Sequence, residues 1–104
     1  MSDAKELANY IMGQLDGLDE VRNIPMMGGY VFYYKERIFG GIYGSGFMVK
    51  ITRASQKYMP DSIAEPPYKG AKPMLPVTII DDAELLKKMV EEMFDELPPR
   101  KKKK

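Results

Sequence analysis

Pro25-Met26-Met27-Gly28-Gly29-Tyr30-Val31-Phe32-Tyr33-Tyr34, followed by Ile38-Phe39-Gly40-Gly41-Ile42-Tyr43 and Gly46-Phe47-Met48-Val49-Lys50, is the stretch that decides the fold. Each run alternates or nearly alternates apolar side chains and ends in a short polar or glycine-containing break, the pattern of an antiparallel meander. Gly28-Gly29 allows the chain to bend or bulge where a Cβ would clash. Residues 30–34 then form a strand, Lys35-Glu36 its turn and residues 37–43 the partner strand. Lys-Glu is not the Asn-Gly or Asp-Gly chemistry that hairpins favour, so the turn type stays open. Gly44-Ser45-Gly46 is a stronger hairpin signal and leads into a strand over 47–52, with Phe47, Val49 and Ile51 on one face.

Upstream, Asp3 with Glu6 three residues later resembles a capping box, and Leu7, Ile11, Leu15 and Leu18 form an apolar stripe widened by Ala8 and Met12. A helix over 3–16 follows, closed by Gly17 in the left-handed conformation. Val21, Ile24 and Met26 indicate a strand over 20–26, and Pro25, which cannot donate to a ladder, places it at an edge or bulge. Downstream, residues 53–58 make a short helix that stops before Pro60. Residues 61–72 form a loop broken by Pro66, Pro67 and Gly70, and 74–80 a strand kept to an edge by Pro76. Asp81-Asp82 caps a last helix whose stripe runs through Leu85, Leu86, Met89, Val90, Met93, Phe94 and Leu97. The expected architecture is α+β, a two-layer sandwich with helices on one face of an antiparallel sheet. Residues 1–97 form one domain, and 98–104 are a Pro/Lys-rich tail without order.

The chain has 104 residues, no cysteine and no histidine. Disulfides, thiol nucleophiles, thiolate metal sites and imidazole bases are therefore absent. No run of ~18 apolar residues marks a membrane span, and the start lacks the basic-then-apolar order of a secretory signal, so a cytoplasmic protein is expected. The net charge of +1 hides segregation: residues 1–20 carry one Lys against five acids, 81–99 two Lys against seven, and 21–80 eight Lys or Arg against three acids. If the ends are helices and the middle is sheet, an acidic side opposes a basic one.

Gly28-Gly29, Gly40-Gly41 and Gly44-Ser45-Gly46 lie within or between strands and open no helix in a phosphate-cradling pattern, so they are structural. Glu91, Glu92, Asp95 and Glu96 make a solvated helix face. No catalytic, cofactor or metal residue is indicated. The tyrosines offer more. Tyr30, Phe32 and Tyr34 share one sheet face, Val31 and Tyr33 the other, and only one face can cover the helices. A spare aromatic face, taken as Tyr30, Phe32 and Tyr34 with Lys72 nearby, suits a second copy or stacked nucleic-acid bases. Residues 45–51 faintly echo an RNA-binding strand motif but lack its first basic and internal small residues. Arg100, Lys101, Lys102, Lys103 and Lys104 offer a salt-sensitive, sequence-independent contact to anions such as nucleic acid.

Met27-Gly28-Gly29-Tyr30, with Gly40-Gly41 and the stretch Tyr68-Lys69-Gly70-Ala71-Lys72-Pro73-Met74, resembles the N-terminal domain of the TfoX/Sxy family of bacterial competence regulators. Met27 stands where that family most often has Phe. The resemblance implies a non-enzymatic regulatory or adaptor domain that controls transcription through a partner transcription factor. Longer members of the family carry a second, C-terminal domain, so a stand-alone module is expected here. The alternatives are a nucleic-acid-binding module using the aromatic face and basic tail, and a small ligand binder or enzyme with Tyr and Lys near Gly28-Gly29 and residues 68–72. A homodimer is expected.

Overall fold

The computed structural model describes residues 4–26, 29–44 and 46–98. Five antiparallel strands lie side by side in chain order, β1 (Val21–Met26), β2 (Gly29–Tyr34), β3 (Arg37–Tyr43), β4 (Gly46–Val49) and β5 (Leu75–Pro76). Helix α1 (Ala4–Gln14) precedes the sheet and α2 (Arg53–Tyr58) links β4 to β5. Helix α3 (Ala83–Met93) follows and continues as a 3-10 turn over Phe94–Glu96. This is the α+β arrangement that the alternating runs predict. The helix start at Asp3, the Met27-Gly28 part of the glycine motif, Ser45 and the basic tail lie outside the described residues.

Alternation explains which face the helices cover. Asn23, Phe32 and Gly40 are paired across β1, β2 and β3, as are Tyr30 with Ile42 and Ile42 with Phe47, so these positions share one face. Phe32, Tyr34, Phe39, Ile42, Phe47, Val49 and Leu75 form the main core with Ile11 and Leu15 from the α1 segment and Leu86, Met89, Val90 and Met93 from α3. The register shifts between Phe32 and Tyr33, where Gly40 and then Ile38 stand opposite, leaving Phe39 as the extra residue of a bulge. The bulge turns Phe39 inward as well, its ring 6.0 Å from that of Phe32.

The ends of the helices follow from local chemistry. Gly17 takes φ +100° just past α1, as its place after the apolar stripe predicts. Asp82 caps α3 by accepting the Leu85 N–H at 3.1 Å. Thr52 and Ser55 form a reciprocal capping box at α2, and Ser55 is fully buried. That cap shortens the strand expected over 47–52: β4 stops at Val49, because Thr52 has turned to begin the helix. The strand expected over 74–80 also shrinks, to Leu75–Pro76. Met74 instead pairs with Glu65 as an isolated bridge, and beyond Val77, whose N–H reaches the Phe47 carbonyl at 3.0 Å, the chain turns toward α3. Val77, Ile79 and Ile80 still pack against the core, so their apolar pattern reports burial and not a ladder. Pro25 and Pro76 both lie in the outermost strands, where a missing N–H breaks no interior ladder.

The β2–β3 turn uses Lys35 at φ 49° and Glu36 at φ 69°. Two successive left-handed residues belong to the mirror-image turn that matches strand twist, adopted here without glycine at a cost of the order of 1 kcal/mol per residue. Side chains offset the strain. Arg22 grips both Glu36 carboxylate oxygens at 2.9 Å, and the Lys35 ammonium lies 5.3 Å from the Tyr34 ring centroid and 5.6 Å from that of Phe94.

At Gly29 the constraint is close approach: a Cβ would overlap the Ile42 carbonyl oxygen of β3. Gly29→Val should therefore lower stability by more than about 1 kcal/mol, since backbone cannot yield as a side chain can. Gly44, where an added Cβ meets nothing within 4 Å, is the control. Gly44→Ala should leave the urea midpoint unchanged or raise it. Equal midpoints for Gly29→Val and wild type would show that the contact does not matter.

Candidate partner surface

Opposite the helices, β1 to β3 present a second, helix-free face. Register assigns to it Arg22, Ile24 and Met26 of β1, Val31 and Tyr33 of β2, and Ile38, Gly41 and Tyr43 of β3. Met48 of β4 joins them opposite Gly41. Val31, Met48 and Met74 are buried yet stand apart from the main core, so this side has a small apolar floor of its own. The Tyr68 ring lies 6.0 Å from that of Tyr43, which brings the loop between α2 and β5 to the β3–β4 part of the face. The β1–β3 part stays open. Met26 is 48% exposed, Ile38 36% and Tyr68 63%, whereas Ile24, Tyr33 and Tyr43 are half-buried.

The aromatic set expected at a partner surface is therefore corrected. Phe32 is 0% exposed and Tyr34 5%, both under the helices, and Tyr30 is partly buried against the same core. The alternation was right, but the face was the other one. Tyr30 pairs with Ile42, which is buried in the main core, and Phe32 and Tyr34 alternate onto that same face. The outward residues are Tyr33, Tyr43 and Tyr68, and the available sequence signal was the Arg22 that alternates onto the face of Ile24 and Met26. Lys72 is exposed as expected, and Gly70 takes φ +88° in the same loop. Gly40 and Gly41 are interior strand positions where a Cβ would overlap the Met48 and Tyr30 carbonyl oxygens, respectively. Gly29, Gly40 and Gly41 are thus spacers between strands.

The charge pattern is also rearranged by folding. Arg22 pairs with Glu36 and lies 4.3 Å over the Tyr33 ring, so the one strand charge on this face is neutralised and flattened. Arg37 points to the helix side, donating to the Phe94 and Leu97 carbonyls at 3.1 and 3.2 Å. Lys57 reaches Glu92 at 3.3 Å. Several of the cations between residues 21 and 80 thus serve the helix layer, and the expected split into a basic sheet side and an acidic helix side is only partial. Lys69 and Lys72 remain exposed in the loop beside Tyr68.

The hydroxyls behave as structural groups. Tyr58 donates to Glu92 at 2.6 Å and Tyr10 to Asp81 at 2.6 Å. Both phenols are pushed up by these hydrogen bonds, and Tyr43 is pushed up by burial and by Tyr68. A phenol whose pKa is raised is populated even less as the phenolate that could act as a base or nucleophile near neutral pH. Asp81 is thereby tied to α1 while Asp82 alone caps α3. Glu92 and Glu96 are engaged at α2, Glu96 accepting the Arg53 N–H with both oxygens at 3.1 Å. Among the described residues, no three acidic side chains converge to hold a metal ion.

A family model described as the TfoX N-terminal domain matches residues 13–96, most of the chain. No curated protein and no solved structure matches.

The Tyr58 clasp predicts a pH response. The Tyr58 hydroxyl, and then Lys57, hold the Glu92 carboxyl below its ordinary value. A depressed carboxylate stabilises the fold above its unfolded pKa, and that contribution fades as pH falls through the folded pKa. In Tyr58→Phe the Glu92 carboxyl should titrate at higher pH than in wild type, read by carbon-detected NMR. An unmoved titration curve would remove the clasp as the cause.

Proposed function

This chain belongs to the TfoX N-terminal domain family, and from that premise we propose that it is a non-enzymatic regulatory adaptor acting through a protein partner in bacterial transcriptional control. The observation that carries the reading is the corner where Tyr68, 63% exposed, packs on Tyr43 beside exposed Lys69 and Lys72. Tyrosine anchored on a sheet and edged by cations suits recognition of an acidic protein surface. Side-chain chemistry supports the same direction. With no cysteine or histidine in the chain and tyrosines that retain their protons, its polar groups are suited to binding more than to turnover. The work is cytoplasmic in this reading, and no helix among the described residues is long and apolar enough to cross a membrane.

The test is affinity capture from the extract of the source cells, with wild type compared with Tyr68→Ser and Lys72→Glu. Mass spectrometry should identify a transcription regulator held by wild type and depleted at least tenfold in both variants. Capture of the same proteins by all three would exclude this corner as the adaptor surface.

A second reading is favoured by the Arg22–Tyr33 and Tyr43–Tyr68 pairs on one face, which resemble platforms for unstacked bases. It predicts sequence-tolerant binding of single strands that weakens on Tyr33→Ser. The basic tail predicts something different: weak, sequence-independent attraction that falls with salt and disappears on truncation after Pro99. Fluorescence anisotropy with unrelated single- and double-stranded DNA and RNA, at low and physiological salt, separates them. Affinity that survives truncation and is lost in Tyr33→Ser supports the platform; the reverse assigns it to the tail.

A further inference from the structure

We propose that the open β1–β3 part of the helix-free face, centred on Ile24, Met26, Tyr33 and Ile38, is a two-fold interface between two copies of this chain. One face of the sheet carries the main core; on the other, Val31 is buried and Arg22 stacks on Tyr33, while apolar side chains toward the margins stay exposed. Met26 and Ile38 are 48% and 36% exposed, and Ile24 and Tyr33 lie half-buried between them on adjacent, register-matched strands. A contiguous apolar patch of this kind marks an association surface.

The charge on the patch argues for a second copy as the occupant. A symmetric interface lays a patch on its own equivalent, so an uncompensated charge at its centre repels itself. Among the described residues, the only charged one that alternates onto this part of the face is Arg22, and its guanidinium is bound by both oxygens of Glu36 and stacked on Tyr33. The patch is therefore close to neutral. Nothing at its centre selects a strongly charged partner, whereas exposed Lys69 and Lys72 belong to the Tyr68 loop at the β3–β4 end of the same face.

Edge pairing is the competing route, and the sequence blocks it. The Glu20 carbonyl accepts the Lys35 N–H at 2.9 Å, so at alternate residues, Arg22, Ile24 and Met26, the backbone faces β2. Val21, Asn23 and Pro25 face outward. Proline has no N–H to offer an added strand, so Pro25 interrupts the outer donor row and blunts the edge. Association is left to the face, with two sheets packed about 10 Å apart.

Size sets the expected strength. Three strands of about six residues span roughly 15 by 20 Å, which with side-chain relief gives about 500 Å² per copy. About 1,000 Å² in all is at the lower end of specific interfaces, the size class of weak and reversible association.

Sedimentation equilibrium of the full chain from about 1 to 500 μM tests this directly. Wild type should pass from monomer to dimer. Met26→Lys and Ile38→Lys, separate changes at exposed positions, should each weaken dimerisation at least tenfold while keeping the wild-type urea midpoint. Ile63→Lys, at an apolar residue 82% exposed in the loop, should leave it unchanged. Hydrogen exchange should show slowed amides in β1 and β2 as concentration rises. A wild-type monomer at 500 μM overturns the proposal, whatever the variants do. So does a dimer indifferent to both lysines, or one protected elsewhere. None of these results touches the adaptor reading, which rests on the Tyr68 corner and is read out by capture.

Discussion

The close fit of β3 between its neighbours is the constraint on which the rest of the structure depends. Gly40 and Gly41 bring the Met48 and Tyr30 carbonyls to where side chains would otherwise stand, and the bulge beside them adds one residue. That extra residue, Phe39, is why three phenylalanines converge on one face: Phe32 lies 6.0 Å from Phe39 and 5.5 Å from Phe47. Tilted rings at these distances add roughly 0.5–1.5 kcal/mol per pair to the burial of their area. Without the glycines the strands separate, and without the bulge Phe39 faces the wrong side. Helix placement follows, since α1 and α3 pack on the floor these rings create.

Helices of 11, 6 and 11 residues are too short to hold their shape alone, so tertiary contacts must supply what propensity does not. Beside the buried stripes, several long-range hydrogen bonds gather at the helix ends. Arg37 reaches from the sheet to two carbonyls at the end of the last helix and lies 4.1 Å over the Phe94 ring, while Phe94 packs edge-on against Tyr34 at 5.7 Å. Glu96 closes the start of α2, Gln14 donates to the Ile80 carbonyl at 2.8 Å, and Lys87 donates to the Asp16 carbonyl at 3.1 Å. Each connects one element's unsatisfied backbone group, or a chain segment beside it, to a side chain far away in sequence. A hydrogen bond from a charged donor to a partly buried carbonyl contributes about 1.5–3 kcal/mol. The helix layer is thus fixed by its termini as well as by its apolar stripe.

These connections explain how much was legible in the sequence. Elements governed by near neighbours were readable: the stripe of α1 with Gly17 after it, the bounds of α2 before Pro60, Asp82 as a cap, and the edge positions of Pro25 and Pro76. Elements governed by distant partners were not. Residues 77–80 carry an apolar pattern that suits a strand, yet their role is to reach α3 along the core. Lys35-Glu36 has the wrong residues for its turn and is held there by Arg22 and by rings from two elements. Which face of the sheet turns outward depends on distant partners in the same way. Alternation separates two faces but does not say which meets the helices; that is set by the packing of α1 and α3 on Phe32, Tyr34 and their neighbours, and the bulge that turns Phe39 inward exists only once β2 and β3 are paired.

Charge followed the same rule with a further consequence. The sequence segregates acids to residues 1–20 and 81–99 and bases to its middle and its last five residues, and in the fold some opposite segments answer each other: Lys57 meets Glu92, and Arg37 meets the carbonyl end of the last helix. What remains outward is differentiated by position and not by composition. Around Ile24 and Ile38 the sheet is apolar and nearly neutral, whereas around Tyr68 it is aromatic and cationic. Two surfaces with different chemistry on one sheet face can engage two kinds of partner without competing for the same side chains. The helices need cover only one side of the sheet to stabilise the fold, and the other side is thereby left without a helix layer.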